Sequence, residues 1–185
     1  NPNSDKQEQR EIPFSREIWI EQDDFMEEPS KKFFRLAPGK EVRLRYAFFV
    51  TCNAVIKDED GEIVELRCSY DPETRGGNAP DGRKVKGTIH WVSVEHAKDA
   101  EVRIYNSFYN TPSPGRERDF IEDINPNSLE VLENCKIEPD LITLDDNVPI
   151  QFERLGYFYK DPDTTPEKHI YNRTISLRDT WNKKL

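Results

Sequence analysis

Cations gather, mostly among aromatic side chains, in four stretches: Lys31-Lys32-Phe33-Phe34-Arg35, Arg43-Leu44-Arg45-Tyr46, Arg83-Lys84-Val85-Lys86 and Phe152-Glu153-Arg154-Leu155-Gly156-Tyr157-Phe158. This combination suits RNA. Unpaired bases are read by stacking on aromatic or guanidinium planes, with hydrogen bonds to the base edges. An arginine fork matches guanine O6 and N7, or a phosphate. A plainer role fits the same residues, with Phe33, Phe48, Phe152 and Phe158 as core residues beside solvated charges. Composition alone slightly favours the plainer role.

Other chemistries find less support. Carboxylates are numerous enough for a hydrolytic pair, but an acidic surface accounts for the same count. Neither a Gly-x-Ser-x-Gly elbow nor a Walker phosphate loop occurs. Gly76-Gly77 lacks the Lys-Ser/Thr that would follow in such a loop and reads as a flexible connection. Cys52, Cys68 and Cys135 are sparse and odd in number, as expected for free thiols in a reducing cytoplasm. With His90, His96 and His169 they give no zinc spacing, so no metal is expected. Asn172-Arg173-Thr174 matches a glycosylation acceptor by chance, given no secretory signal.

The chain of 185 residues suffices for one solid domain or two small ones. Hydrophobic residues make up 35% and charged residues 34%, which predicts a compact core under a charged surface. Aromatics at 11% argue against disorder. No apolar run approaches the roughly 20 residues that span a bilayer, so no membrane partner is expected. The polar start, without an initiator Met or an apolar signal core, reads as a soluble fragment of a longer chain. A net charge of −9 disfavours a non-specific nucleic-acid coat. To hold RNA, such a chain must concentrate its cations, and a positive patch is expected near Arg35, Arg43 and Arg45.

These side chains need strands to position them. Val42 to Tyr46 alternates apolar and cationic residues, which as a strand puts Arg43 and Arg45 on one face. The strand is expected to continue through Phe48-Phe49-Val50 to Ile56, with Asp58-Glu59-Asp60-Gly61 turning it back along Ile63 to Cys68. Further strands are expected at Arg16 to Glu21, Lys84 to Val92, Val102 to Tyr105, Leu129 to Ile137, Ile150 to Tyr159 and Ile170 to Leu177. Asp119 to Ile124 suggests a helical turn or two. Many strands without a long helical period indicate an all-β barrel architecture. Gln151 and Arg154 are an odd distance apart, so they can share a face only across an irregularity or at a strand end.

Six segments resemble, in family order, the C-terminal region of glutaminyl-tRNA synthetases. They are Arg16 to Ile20, Gly39 to Arg45, Asp81-Gly82-Arg83-Lys84-Val85-Lys86-Gly87-Thr88-Ile89-His90-Trp91-Val92, Phe120 to Leu129, Gln151 to Phe158, and Tyr171-Asn172-Arg173-Thr174 through Trp181. The Lys-Val-Lys-Gly-x-Ile-His-Trp-Val run and the Asn-Arg-Thr ending favour the glutaminyl over the glutamyl branch. The resemblance implies two small β-barrels of the ribosomal L25 kind, with short helical turns in the connections. A linker would occupy 1–12, the first barrel 13–95, and the second 96–185, its last strands returning to the first. It implies anticodon contacts at Arg35, Arg43, Arg45, Gln151 and Arg154, with Lys32 a further candidate. Phe34 stands where relatives carry another cation. The implied partner is the anticodon loop of tRNA-Gln, and the implied setting a cytoplasmic, monomeric glutamine–tRNA ligase. ATP and Mg would be used by an upstream Rossmann domain, whose His-Ile-Gly-His and Lys-Met-Ser-Lys-Ser signatures are absent here. This segment alone would be inactive and need no cofactor. The alternatives are a free-standing L25-like ribosomal RNA-binding barrel and a protein-interaction β-domain without RNA function.

Overall fold

Val42 and Leu44 are buried while Glu41 and Arg43 are only half so, and this period of two builds the first ladder. The computed structural model describes residues 10–76 and 78–177. The expectation for 1–9, Gly77 and the 178–181 part of the last matched segment lie outside the described residues. The chain divides into two units, Asn1–His96 and Ala97–Leu185.

The first unit holds β1 (Ile18–Trp19), β2 (Glu41–Leu44), β3 (Phe49–Lys57), β4 (Ile63–Asp71), β5 (Thr88–Ile89) and β6 (Val92–Ser93). Its main sheet runs β4-β3-β2-β5, and β1 pairs with β6 separately. Leu36, Val42, Leu44, Ala47, Val50, Cys52, Ile89 and Trp91 form its core. The β3–β4 hairpin turns where the Asp-Glu-Asp-Gly signal puts it. The Asp58 carboxylate accepts from the amides of Asp60 and Glu62, and Gly61 takes φ 86°.

Two strand expectations in this unit are corrected. The run from Val42 to Ile56 is two antiparallel strands, because the chain reverses at Arg45-Tyr46. Tyr46 adopts φ 60°, the Ala47 amide donates to Leu44 O and the Leu44 amide to Phe48 O. The expected strand Lys84 to Val92 is ladder near Gly87 to Ile89, where the Arg43 amide donates to Gly87 O and the Arg45 amide to Ile89 O, and again only at Val92, where β6 begins. Trp91 then turns into the core and donates its Nε1–H to Arg45 O at 3.0 Å, which breaks the run before β6.

In the second unit β7 (Lys98–Tyr105), β8 (Leu129–Ile137), β9 (Ile150–Phe152), β10 (Gly156–Lys160) and β11 (His169–Ser176) form one sheet in the order β8-β7-β11-β10-β9. β11 lies parallel to β7 and antiparallel to β10. Ala100, Val102, Ile137, Leu141, Ile150, Phe158 and Tyr171 make its core, and the buried Tyr171 hydroxyl donates to Leu141 O at 3.3 Å. The turn expected at Asp119 to Ile124 is a short 3-10 helix over Phe120–Asp123, capped by the Asp119 carboxylate. The all-β class holds, with helix confined to short 3-10 turns among the described residues. Among the described residues the ladders of the four- and five-stranded sheets are open, with β4, β5, β8 and β9 at their edges.

Candidate nucleic-acid interface

Arg43 and Phe49 are direct partners across β2 and β3. The Arg43 guanidinium lies over the fully buried Phe49 ring at 5.3 Å, and Arg83 lies at the same distance. The two cations are otherwise unlike. Arg83 donates to Glu41 at 3.0 and 3.1 Å, to Asp71 at 2.5 Å and to Asp81 at 2.8 Å. Those carboxylates raise its already high pKa. In return the Arg83 side chain and then the Glu73 amide lower Asp71, and the Arg83 amide and side chain lower Asp81. By contrast Arg43 Nε is buried and finds no hydrogen-bond acceptor among the described residues. Arg83 holds a loop to the sheet; Arg43 carries a charge that no carboxylate among the described residues neutralises.

Arg35 departs from the expected patch. Its Nη1 donates to Asp23 O at 2.6 Å and lies 3.4 Å from the buried Asp24 carboxylate. Its guanidinium also lies 6.0 Å from the Phe33 ring. Arg45 stands at the β2–β3 turn with its guanidinium 5.6 Å from the Tyr46 ring, and Lys32 is exposed. Arg35 is thus engaged by a backbone carbonyl and a buried carboxylate, which sets it apart from Arg43.

Two aromatics belong to this surface that sequence patterning did not single out as contacts. Tyr46 is 69% exposed and Phe34 52%, the latter with Lys86 Nζ 5.1 Å from its ring. Phe34 is held there by Gly87, where a Cβ would come within 2.4 Å of Phe34 O. The only sequence signal was the aromatic spacing among cations, which does not separate core from surface.

In the second unit Gln151 and Arg154 lie on one hairpin. Gln151 is exposed on β9 and directly opposite Tyr157 on β10. The expected strand Ile150 to Tyr159 is corrected to two, β9 and β10: the first ends at Phe152, the Leu155 amide donates to Phe152 O at 3.0 Å, and Arg154 takes φ 63°. Arg154 is thus on a turn in the left-handed region, outside strand alternation, and its odd offset from Gln151 imposes no opposite face. The other notable cation of this unit, Arg103, is engaged by Glu101 at 2.7 Å and Asp161 at 3.2 Å. Lys168 and then Arg103 hold Glu101 below the usual carboxylate range. Burial pushes Asp161 up, but the Asp163 amide, Asn172 and Arg103 outweigh it and leave it lowered. Among the described residues no group of three or more His, Cys, Asp or Glu is placed to hold a metal ion, and no helix is long and apolar enough to cross a membrane.

Comparison with known proteins places both units. Two family models, each described as "tRNA synthetases class I (E and Q), anti-codon binding domain", match residues 1–71 and 88–161. The chain is 59% identical over 176 residues to the glutamine–tRNA ligase of Bradyrhizobium diazoefficiens, covering 95% of this chain and 31% of that protein. It is 54% identical over 183 residues to that of Nitrobacter winogradskyi, covering 99% and 33%. With that of Aliivibrio fischeri it shares 50% over 182 residues, covering 98% and 33%. The chain spans about a third of the length of these curated relatives.

Proposed function

This chain belongs to the anticodon-binding region of the class I E and Q tRNA synthetases, in its glutaminyl branch, and from that premise we propose that it reads the anticodon loop of tRNA-Gln. The observation that carries the proposal is the position of the candidate residues. Lys32, Arg35, Arg43 and Arg45 fall inside one matched segment, Gln151 and Arg154 inside the other. Their chemistry supports it: the Arg43 guanidinium, without a carboxylate partner among the described residues, suits a guanine edge or a phosphate, and the exposed Gln151 amide suits a uracil edge. Lys32, Arg35 and Arg45 contribute charge, Arg35 while held by the Asp23 carbonyl and the Asp24 carboxylate.

The same premise extends to the longer protein. It would be a cytoplasmic, monomeric glutamine–tRNA ligase whose upstream Rossmann domain uses ATP and Mg. The two sheets would be small barrels of the ribosomal L25 kind. Bulges in the long β3–β4 and β7–β8 pairs support that curvature, since a bulge bends and twists its strand.

Filter binding of this chain to tRNA-Gln and to anticodon-substituted tRNAs, at several salt concentrations, tests the central reading. Affinity should fall linearly on a log–log plot against salt, with slope near −0.7 per neutralised phosphate for an unpaired loop. It should also fall when an anticodon base is replaced. Binding that ignores the anticodon would overturn the proposal.

A further inference from the structure

On the five-stranded sheet of the second unit, Tyr157 projects from the face opposite the core. Along β10 the buried residues are Gly156 and Phe158, while Tyr157 and Tyr159 are exposed. Tyr157 is 39% exposed, its ring has no aromatic partner, and its hydroxyl makes no hydrogen bond among the described residues. Direct partners across an antiparallel pair place their Cβ atoms about 4.5–5.5 Å apart on one face. Tyr157 and Gln151 are such partners. An amide able to read a base edge therefore stands beside an aromatic plane able to cover a base face.

The backbone around Tyr157 is fixed. The ladder to β11 shifts register between Tyr157 and Phe158, with Thr174 the extra residue on β11. Thr174 Oγ1 donates to Tyr157 O at 3.0 Å. Gly156 takes φ 151° and lets the strands close to where a Cβ would lie 2.3 Å from Ile175 O. A ring left in water on so constrained a backbone loses little further entropy on stacking.

We propose that Tyr157 is the stacking residue for the unpaired base whose edge Gln151 reads, so that the pair recognises one anticodon base by face and by edge. This rests on the anticodon reading above. Stacking on a single aromatic changes affinity by roughly 10–100-fold. Tyr159, the next residue on the same face, is opposite Asn172 rather than Gln151 and serves as the control.

The test uses this chain and glutamine anticodon stem-loops in which each anticodon base in turn is a thieno-fused fluorescent analogue that keeps the Watson–Crick edge of the base it replaces. Binding should quench the probe at one position. Tyr157→Leu should abolish that quench and weaken binding by roughly 10–100-fold, with an unchanged urea midpoint. Tyr157→Phe should keep both, and Tyr159→Leu should leave the quench intact. If Tyr157→Leu binds and quenches like the parent, or if Tyr159→Leu removes the same quench, the assignment to Tyr157 is wrong and the anticodon reading survives. If the parent chain does not bind the stem-loop, both fall together. A loss of the urea midpoint in Tyr157→Leu that Tyr157→Phe does not share, with the quench retained in the folded fraction, also overturns the proposal.

Discussion

Arg83 and Arg43 flank one phenylalanine ring at equal distance, yet they should answer mutation in opposite ways. Removing the Arg83 side chain strips the counter-cation from Glu41, Asp71 and Asp81 together. Arg83→Ala should therefore lower the urea midpoint, and at temperatures where the variant stays folded it should bind tRNA nearly as the parent does. Arg43→Ala should do the reverse, weakening tRNA binding with little change in the midpoint. A shared pattern in the two variants would erase the distinction drawn between them. Arg154 permits a finer test. If it reads a base, Arg154→Ala costs about 1–3 kcal/mol in discrimination against a substituted anticodon position. Equal losses for cognate and substituted stem-loops would mean that it only holds the backbone. The cation runs and their residue types were legible in the sequence. That Arg35 and Arg83 are tied to carboxylates was not, because Asp24, Glu41 and Asp71 reach them through chain reversals that local spacing does not encode.

Strands were legible where alternation and turn chemistry agreed. The β3–β4 hairpin carries Asp and Gly at its turn and lies as expected. The β2–β3 reversal was illegible because its turn residues, Arg45 and Tyr46, are poor turn formers, and the left-handed φ falls on a tyrosine. Tertiary contacts set that turn, among them the Trp91 indole bonded to Arg45 O. Val85 to Trp91 alternates well enough to predict a strand, but an anchored tryptophan ends the ladder after Ile89. Gly87 matters here for closeness of approach. Gly87→Ala would drive a methyl into the Phe34 carbonyl, which must then shift. We expect a loss of about 1–3 kcal/mol and a fall in Tm of roughly 4–8 °C per kcal/mol for a domain of this size, read by thermal denaturation. Phe34 should become more mobile in the same variant. An unchanged Tm would show that the contact relaxes freely.

At the scale of the whole molecule, the charge of −9 and the engaged arginines belong together. Many cations neutralise internal carboxylates, leaving few to meet RNA, so the salt dependence of tRNA binding should be shallow for a protein with this many Lys and Arg. A steep slope would mean that the clusters open on binding. The same clusters set the response to acid. Asp71, Asp81, Glu101 and Asp161 are held below their ordinary range by the partners described above. A carboxylate whose pKa is lower in the folded than in the unfolded chain contributes stability that is complete above the unfolded value, near 4, and is lost as pH falls through the folded value. Urea midpoints should therefore be level from about pH 7 to 5 and drop below about pH 4. Arg83→Ala should flatten that limb, and a limb unchanged by the substitution would remove Asp71 and Asp81 from its causes.

The central place of β11 also dictates an order of events during synthesis. Its residues are translated after all four of its companions, yet they lie between β7 and β10. Until they emerge, the nascent chain holds two separate hairpins, β7–β8 and β9–β10, each with a bare row of amides and carbonyls along one side. At ~5–20 residues per second the wait between β7 and β11 is on the order of seconds. A ribosome that stalls before His169 would thus leave two sticky edges with nothing to join them. The second unit completes its sheet by late insertion of one strand, and it is in that interval that the chain is most exposed to mispairing with its neighbours.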